Sequence, residues 1–312
     1  MLEILNIALP FFGLILLGVI AGRIWNKGEE GLAWLNIYVL YFALPPLIFL
    51  IVARTPIEKL ANPLFVVATA GATSVCFLLM LFSAYRFYNV PLREATLMGT
   101  SAAYGNVGYM GLPLAVAFFG QSAGVPAALV FSFDIIMLFV LTAVFAGLED
   151  RAQNKFRMIA KILWSVGTHP FNIATILGAI ATVLKWQPTG AVLTIVEMLM
   201  RSAAPVALFA MGVTVGLRGK PDMNVELGTL TFIKIVFHPV LAFAAVTLFV
   251  SADIVWLQVA VMMAALPTAT NAFILARQYN SYVAGSGAAV ITTTALSVIT
   301  IPLIVYALKH AL

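Results

Sequence analysis

Two stretches of membrane-crossing length, Thr100 to Ala117 (TSAAYGNVGYMGLPLAVA) and Ala260 to Arg277 (AVMMAALPTATNAFILAR), carry helix-breaking residues in their middles. In the first, Gly105, Gly108, Gly111 and Pro113 sit beside Asn106; in the second, Pro267 is followed by Thr268, Thr270 and Asn271. A helix interior loses roughly 1 kcal/mol for Gly and 3 for Pro relative to Ala, so this density predicts two helices that open in the middle. Open backbone survives at membrane depth only where protein encloses it or a polar cavity lies against it, because unsatisfied N–H and C=O groups in hydrocarbon cost several kcal/mol each. Paired interruptions at corresponding places are the best sequence pointer to a transporter's substrate site. Gly and Pro also occur in ordinary membrane helices, where they only kink the chain; the close correspondence of the two stretches favours the first reading.

The membrane setting follows from composition. Of 312 residues, 62% are hydrophobic and 9% charged, against about 25% charged in soluble domains. A span needs about 20 mostly apolar residues, and the chain divides into ten such segments: 3–24, 31–53, 61–85, 94–119, 124–147, 164–186, 192–217, 227–249, 255–277 and 284–308. All five tryptophans, Trp25, Trp34, Trp164, Trp186 and Trp256, fall at or near segment ends, where interfacial aromatics belong. The loops after segments 1, 3, 5, 7 and 9 hold Arg23, Lys27, Arg86, Arg93, Arg151, Lys155, Arg157, Lys161, Arg218, Lys220 and Arg277; the opposite side holds Arg54, Lys59, Lys185 and Lys309. This asymmetry predicts cytoplasmic odd loops and both termini outside. In the longest connection, the KFRMIAKILW run predicts a short basic amphipathic helix on the membrane surface. The net charge of +5 belongs to loops and calls for no nucleic-acid partner. The N-terminus has no basic run of the signal-peptide kind, and the single cysteine, Cys76, lies in an apolar segment as a small core residue.

The chain also repeats itself at an offset of 160 residues. Pro10, Phe11, Leu17, Gly18, Ile20 and Ala21 recur as Pro170, Phe171, Leu177, Gly178, Ile180 and Ala181; Pro45 and Phe49 recur as Pro205 and Phe209. The same offset lays one broken stretch on the other without a gap. Each half has five segments, an odd number, so the second half is expected to enter the membrane inverted. The predicted fold class is an all-α membrane protein of ten transmembrane helices in a five-plus-five inverted repeat, an alternating-access architecture.

Asn106-x-Gly108-x-x-Gly111-x-Pro113, Leu266-Pro267 with Asn271, and the run FILARQYN from Phe273 to Asn280 together resemble the auxin efflux carrier family, which includes bacterial permeases for malonate, malate and related acids. The resemblance covers essentially the whole chain, without the long central cytoplasmic loop of many plant members. It implies that segments 4 and 9 cross at their breaks. It also implies a dimerising scaffold of segments 1, 2, 6 and 7, and a transport unit of segments 3 to 5 and 8 to 10 that moves as an elevator. In residue numbers, the scaffold is 1–58 and, with the cytoplasmic linker, 151–220; the transport unit is 59–150 and 221–312.

A broken crossing pair turns two half-helix N-termini toward the bilayer middle, each with partial positive charge and free N–H groups, which favours an anion. The expected donors are amides near Gly111 and Leu112 and from Thr270 to Ala272, with the side chains of Asn106, Asn271, Thr268 and Thr270. The asparagines could equally cap the half-helices. Ionisable residues within spans are functional candidates by default. Asp134 lies near the middle of segment 5, where a carboxylate serves proton or cation coupling, pairs with a base, or orients substrate. Lys234 and His238, one turn apart on segment 8 and hence on one face, could neutralise Asp134, draw in a carboxylate substrate, or form a structural pair. Glu197 and Arg201 on segment 7 have the i, i+4 spacing of an ion pair.

Enzyme chemistry finds no footing. The three histidines and one cysteine give no zinc spacing, and no nucleophile elbow or phosphate loop is present. The expected function is secondary transport of a small organic anion; the resemblance implies a carrier of the bacterial cytoplasmic membrane that forms homodimers through its scaffold helices. No cofactor or metal is expected beyond a coupling H+ or Na+. Alternatives are a cation/proton antiporter, a sodium-coupled anion symporter of the bile-acid type, and a non-transporting receptor or channel. Against the antiporter, Phe133 and Ile135 flank Asp134 where a second acid would be expected; against the sodium symporter, segment 9 offers no acidic ligand.

Overall fold

A computed structural model describes residues 2–25, 27–28, 30–55, 62–148, 160, 164, 167–218, 221–250 and 253–310. Among these every regular element is helical: α1 (Leu2–Trp25), α2 (Glu30–Ile37), α3 (Leu44–Ala53), α4 (Pro63–Phe87), α5 (Leu92–Ala103), α6 (Leu112–Phe119), α7 (Gly124–Gly147), α8 (Pro170–Val183), α9 (Gly190–Gly216), α10 (Val225–Phe232), α11 (His238–Phe249), α12 (Ile254–Ala264), α13 (Thr270–Gln278) and α14 (Val283–His310). The surface helix expected over KFRMIAKILW lies, but for Ala160 and Trp164, outside the described residues, as do the loop cations Lys59, Arg151, Lys155, Arg157, Lys161 and Lys220.

Among the described residues seven stretches are long and apolar enough to cross a membrane: Ile4–Trp25, Gly31–Ala53, Pro63–Phe87, Gln121–Gly147, Gly190–Gly216, Val225–Phe249 and Val283–His310. Three shorter apolar helices, Val107–Phe119, Pro170–Val183 and Ile254–Ala264, fall in the remaining predicted segments. Two of these are short because segments 4 and 9 break. The third is bounded at both ends. His169 caps α8 by accepting the Phe171 N–H on Nδ1 at 3.4 Å, and Pro170 suits the first helical position, where no N–H is needed. At the far end Trp186 donates to the Ala181 carbonyl at 2.9 Å and Lys185 to that of Thr182 at 3.1 Å, with Lys185 at φ 52°. This is the pattern of a chain leaving a helix through a left-handed residue, and it ends α8 three residues before the predicted limit at 186.

Among the described residues three wider, π-helical turns interrupt the helices, at Tyr38–Ala43, Val107–Gly111 and Ile233–Phe237. Each is followed at the second residue by proline: Pro45, Pro113 and Pro239. A proline ring collides with the carbonyl four residues earlier and supplies no N–H. A local π turn widens the backbone there without ending the helix.

The described chain forms two compact units. The first comprises Met1–Asn62, Gly108–Ser132 and Gly167–Gly219. In it α1 packs along α9 and α3 along α8. Gly18 lies so close to the Phe209 carbonyl and Gly212 that a Cβ would be driven into the α9 backbone; at Gly178 a Cβ would lie 2.8 Å from the Val52 Cβ and 3.0 Å from the Phe49 carbonyl oxygen. Small residues let helix backbones approach where lipid offers no hydrophobic driving force. Hydrogen bonds add direction: Thr182 donates to the Val52 carbonyl at 2.8 Å, and the hydroxyls of Tyr38 and Ser202 meet at 2.6 Å.

The second unit comprises Pro63–Val107, Phe133–Val166 and Lys220–Leu312. Here α4 packs against α5 and α11, around a core that includes Cys76, Phe77, Met80, Met98, Leu230 and Ala289. Cys76 is buried in that core. Hydroxyl pairs fasten the helices: Thr100 to Thr142 at 2.8 Å and Ser101 to Ser286 at 2.9 Å.

Candidate functional site

The two interruptions meet in the second unit. After α5 ends at Ala103 the chain runs extended through Tyr104 to Asn106; after α12 ends at Ala264 it unwinds through Ala269. Gly105 and Thr268 form an isolated antiparallel bridge. The Asn106 amide donates to the Pro267 carbonyl at 2.8 Å, and the Ala269 amide to the Tyr104 carbonyl at 3.0 Å. Each opened backbone thus satisfies the other, as burial requires.

Side chains brace the join. Thr268, fully buried, gives its hydroxyl proton to the Ser101 carbonyl in the last turn of α5 at 2.8 Å, and its amide donates to the Thr293 hydroxyl of α14 at 2.9 Å. Asn106 is buried, and Pro267 lies beside it through its carbonyl. Thr270 opens α13, whose N-cap, Ala269, has no side-chain acceptor to offer the first turn. The Thr270 hydroxyl is buried and has no hydrogen-bond partner among the described residues. Asn271 follows it, partly buried.

Gly108, Gly111 and Pro113 belong to stretches of the first unit. Gly108 and Gly111 lie in the π turn Val107–Gly111, and Pro113 in the first turn of α6. The second half of segment 4 is therefore wound from Val107 onward. The amides expected to be free near Gly111 and Leu112 lie inside this winding, and its open end is at Val107.

The ionisable candidates are all buried: Asp134 on α7, Lys234 in the π turn Ile233–Phe237 and His238 at the start of α11. Among the described residues Asp134 and Lys234 make no direct ion pair. They are joined through neutral groups. The Lys234 Nζ lies 3.1 Å from His238 Nδ1, His238 Nε2 lies 3.3 Å from the Thr73 hydroxyl, and that hydroxyl donates to Asp134 Oδ1 at 2.9 Å. Lys234 also donates to the Ala264 carbonyl, the last residue of α12, at 2.6 Å, where the negative end of the helix dipole favours a cation. Gly105 makes room for it: a Cβ there would stand 3.3 Å from Nζ and 3.3 Å from the Met263 carbonyl oxygen.

Glu197 finds its nearer partner outside its own helix. Arg54 donates to it at 2.9 Å, whereas Arg201, the partner expected from spacing, stands at 4.0 Å. All three lie in the first unit, and their exposed setting makes the cluster worth little stability.

A family model described as membrane transport protein matches residues 4–305. The chain belongs to the auxin efflux carrier family of membrane transport proteins. It is 37% identical over 310 residues to the "Putative malonate transporter" of Rhizobium meliloti (strain 1021), covering 99% of this chain and 97% of that one. It is 26% identical to "Uncharacterized transporter YfdV" of Escherichia coli (strain K12), over 96% of this chain and 95% of that one. An "Uncharacterized transporter" of Methanothermobacter thermautotrophicus is 24% identical over 294 residues, 93% of each chain. It is thus a multi-pass membrane transporter.

Sequence reasoning missed several residues of this carrier's polar core: Thr73, which links Asp134 to His238, Ser101 and Thr293, which hold Thr268, and the spatial role of Gly105. A buried membrane threonine carries no distinctive signal, since its hydroxyl commonly bonds the carbonyl four residues back. Only its position one side chain from a carboxylate marks Thr73.

Proposed function

We propose that this carrier is a secondary transporter of a small carboxylate such as malonate or malate, with its substrate site at the joined breaks of segments 4 and 9. The observation that carries the reading is α13: a helix starting at the break with no side-chain cap, beside an unpartnered buried hydroxyl at Thr270. Of the amides expected to be free, that of Ala272 is taken up by the Ala269 carbonyl at 3.0 Å; those of Thr270 and Asn271 open the helix, where first-turn amides lack an acceptor in the preceding turn, and with the dipole they favour an anion. Asn106, Thr270 and Asn271 supply directional donors, while Pro267 and Thr268 hold the frame. Gly108, Gly111 and Pro113 shape the second half of segment 4. Carriage of malonate is also what the name of the Rhizobium meliloti relative describes.

The same reading takes all ten segments as spans, arranged as a five-plus-five inverted repeat in which segments 4 and 9 cross. Packing within the first unit supports it: Gly18 abuts Phe209, Gly178 abuts Phe49, and the two pairs are related by the offset of 160. Transport proceeds by an elevator movement of segments 3 to 5 and 8 to 10 against a dimeric scaffold of segments 1, 2, 6 and 7, in a bacterial cytoplasmic membrane with both termini outside. Asp134, Lys234 and His238 serve ion coupling.

Reconstituted protein should exchange external radiolabelled malonate for internal unlabelled malonate. Counterflow absent for malonate, malate and a panel of other short carboxylates would overturn the reading.

A further inference from the structure

Four buried side chains on four elements of the second unit form one continuous hydrogen-bonded line: Lys234, His238, Thr73 and Asp134. The chemistry of each group fixes the direction of donation. A lysine ammonium has donors only, so it donates to His238 Nδ1, which leaves the imidazole proton on Nε2 to face the Thr73 oxygen. The threonine hydroxyl has a single proton, and of its two acceptors the Asp134 carboxylate at 2.9 Å is nearer than the Thr69 carbonyl at 3.2 Å. Every donor therefore points from Lys234 toward Asp134.

We propose that these four residues form a proton relay carrying H+ between the break at Ala264 and the Asp134 carboxylate, with the Thr73 hydroxyl as its indispensable link. One concerted shift moves a proton from Nζ to Nδ1, the Nε2 proton to the Thr73 oxygen, and the Thr73 proton to Oδ1. Three bonds to hydrogen break and three form. Lys234 becomes a neutral amine, Asp134 a neutral acid, and the imidazole changes tautomer, with no net gain of charge. When one further proton enters from water, Lys234 is again an ammonium while Asp134 stays protonated. The line then carries +1, which offsets one negative charge of a carboxylate substrate held at the neighbouring break.

Both ends are built for this. Nζ sits on the Ala264 carbonyl with Gly105 beside it, so the ammonium occupies the negative end of the α12 dipole. Asp134 is reached from His238 through Thr73. The other titratable group facing the line among the described residues is the thiol of Cys76, three residues along α4 from Thr73 and within electrostatic reach of Lys234 and Asp134. Hydrogen-bonded lines of acids and histidines are the usual carriers of protons through transporters.

What the relay drives rests on the transporter reading, so the test has two arms. Infrared titration of the purified full chain follows the protonated-carboxyl stretch and needs no substrate. The expected result is a titrating band that Asp134→Asn lacks, whose midpoint moves by about one pH unit or more in Thr73→Val, the equivalent of one hydrogen bond to a charged group, and returns to the wild-type value in Thr73→Ser. A Thr73→Val protein that titrates like wild type overturns the relay. If that variant fails to fold, His238→Gln breaks the next link and is judged by the same outcome. In proteoliposomes, an inside-alkaline gradient should accumulate labelled malonate in wild type and Thr73→Ser, and fall to background relative to counterflow in Thr73→Val, with an inward Na+ gradient ineffective. Accumulation by Thr73→Val at the wild-type level, or driven by Na+ alone, overturns the proposal. Counterflow missing from wild type itself strikes the transporter reading and leaves the infrared result to decide the relay.

Discussion

The main-chain amide of Asn106 donates to the carbonyl of Pro267 at 2.8 Å, fastening two interruptions that lie about half the chain apart in sequence. This link uses the backbone of Asn106 and not its side chain. Asn106→Ala and Asn271→Ala should therefore keep the fastening while weakening malonate binding by about tenfold or more, since a hydrogen bond to a charged group is worth roughly 1.5–3 kcal/mol. A ligand-induced thermal-shift titration measures this, because binding to the native state raises stability by mass action. Wild-type affinity in both variants would remove these side chains from the site.

Asp134 and Lys234 compensate one another through two intervening groups rather than in contact. Breaking a direct buried ion pair costs about 3–5 kcal/mol; for this indirect pair a loss of about 1–3 kcal/mol is expected from Asp134→Asn. Adding Lys234→Met should return part of that loss. Thermal unfolding of the two single variants and the double variant gives the coupling, and strictly additive losses would show that the charges do not sense one another.

Close helix contact in the first unit gives an internal control. At Gly18 and Gly178 a Cβ would strike the facing helix, whereas at Gly13 nothing lies within 4 Å. Overpacking costs typically about 1–3 kcal/mol, so Gly18→Ala and Gly178→Ala should lower the melting temperature. Gly13→Ala should be neutral or raise stability by up to about 1 kcal/mol through helix propensity. Equal effects at all three positions would contradict the packing.

Arg54 and Glu197 meet within the first unit at 2.9 Å. Replacing both by cysteine and closing the pair should leave malonate counterflow intact if segments 1, 2, 6 and 7 form one body. Cross-links that join those segments to segments 3 to 5 or 8 to 10 should stop it. Counterflow that survives such joining links would exclude the elevator.

The sequence by itself determined where the chain is apolar and where its helices fail. Gly and Pro act through local backbone geometry, so the breaks near Gly105 and Pro267 depend on nearby residues; a proline alone does not set a wide turn, since Pro45, Pro113 and Pro239 follow one whereas Pro10, Pro205 and Pro302 lie inside helices without one. The tertiary structure decided what those openings do. The Asn106–Pro267 hydrogen bond, the choice of Arg54 over Arg201 by Glu197, and the path from Asp134 through Thr73 to His238 all join residues far apart in the chain. No local pattern encodes such pairs. In hydrocarbon a polar group must find a partner, and which partner it finds depends on how the helices lie beside one another.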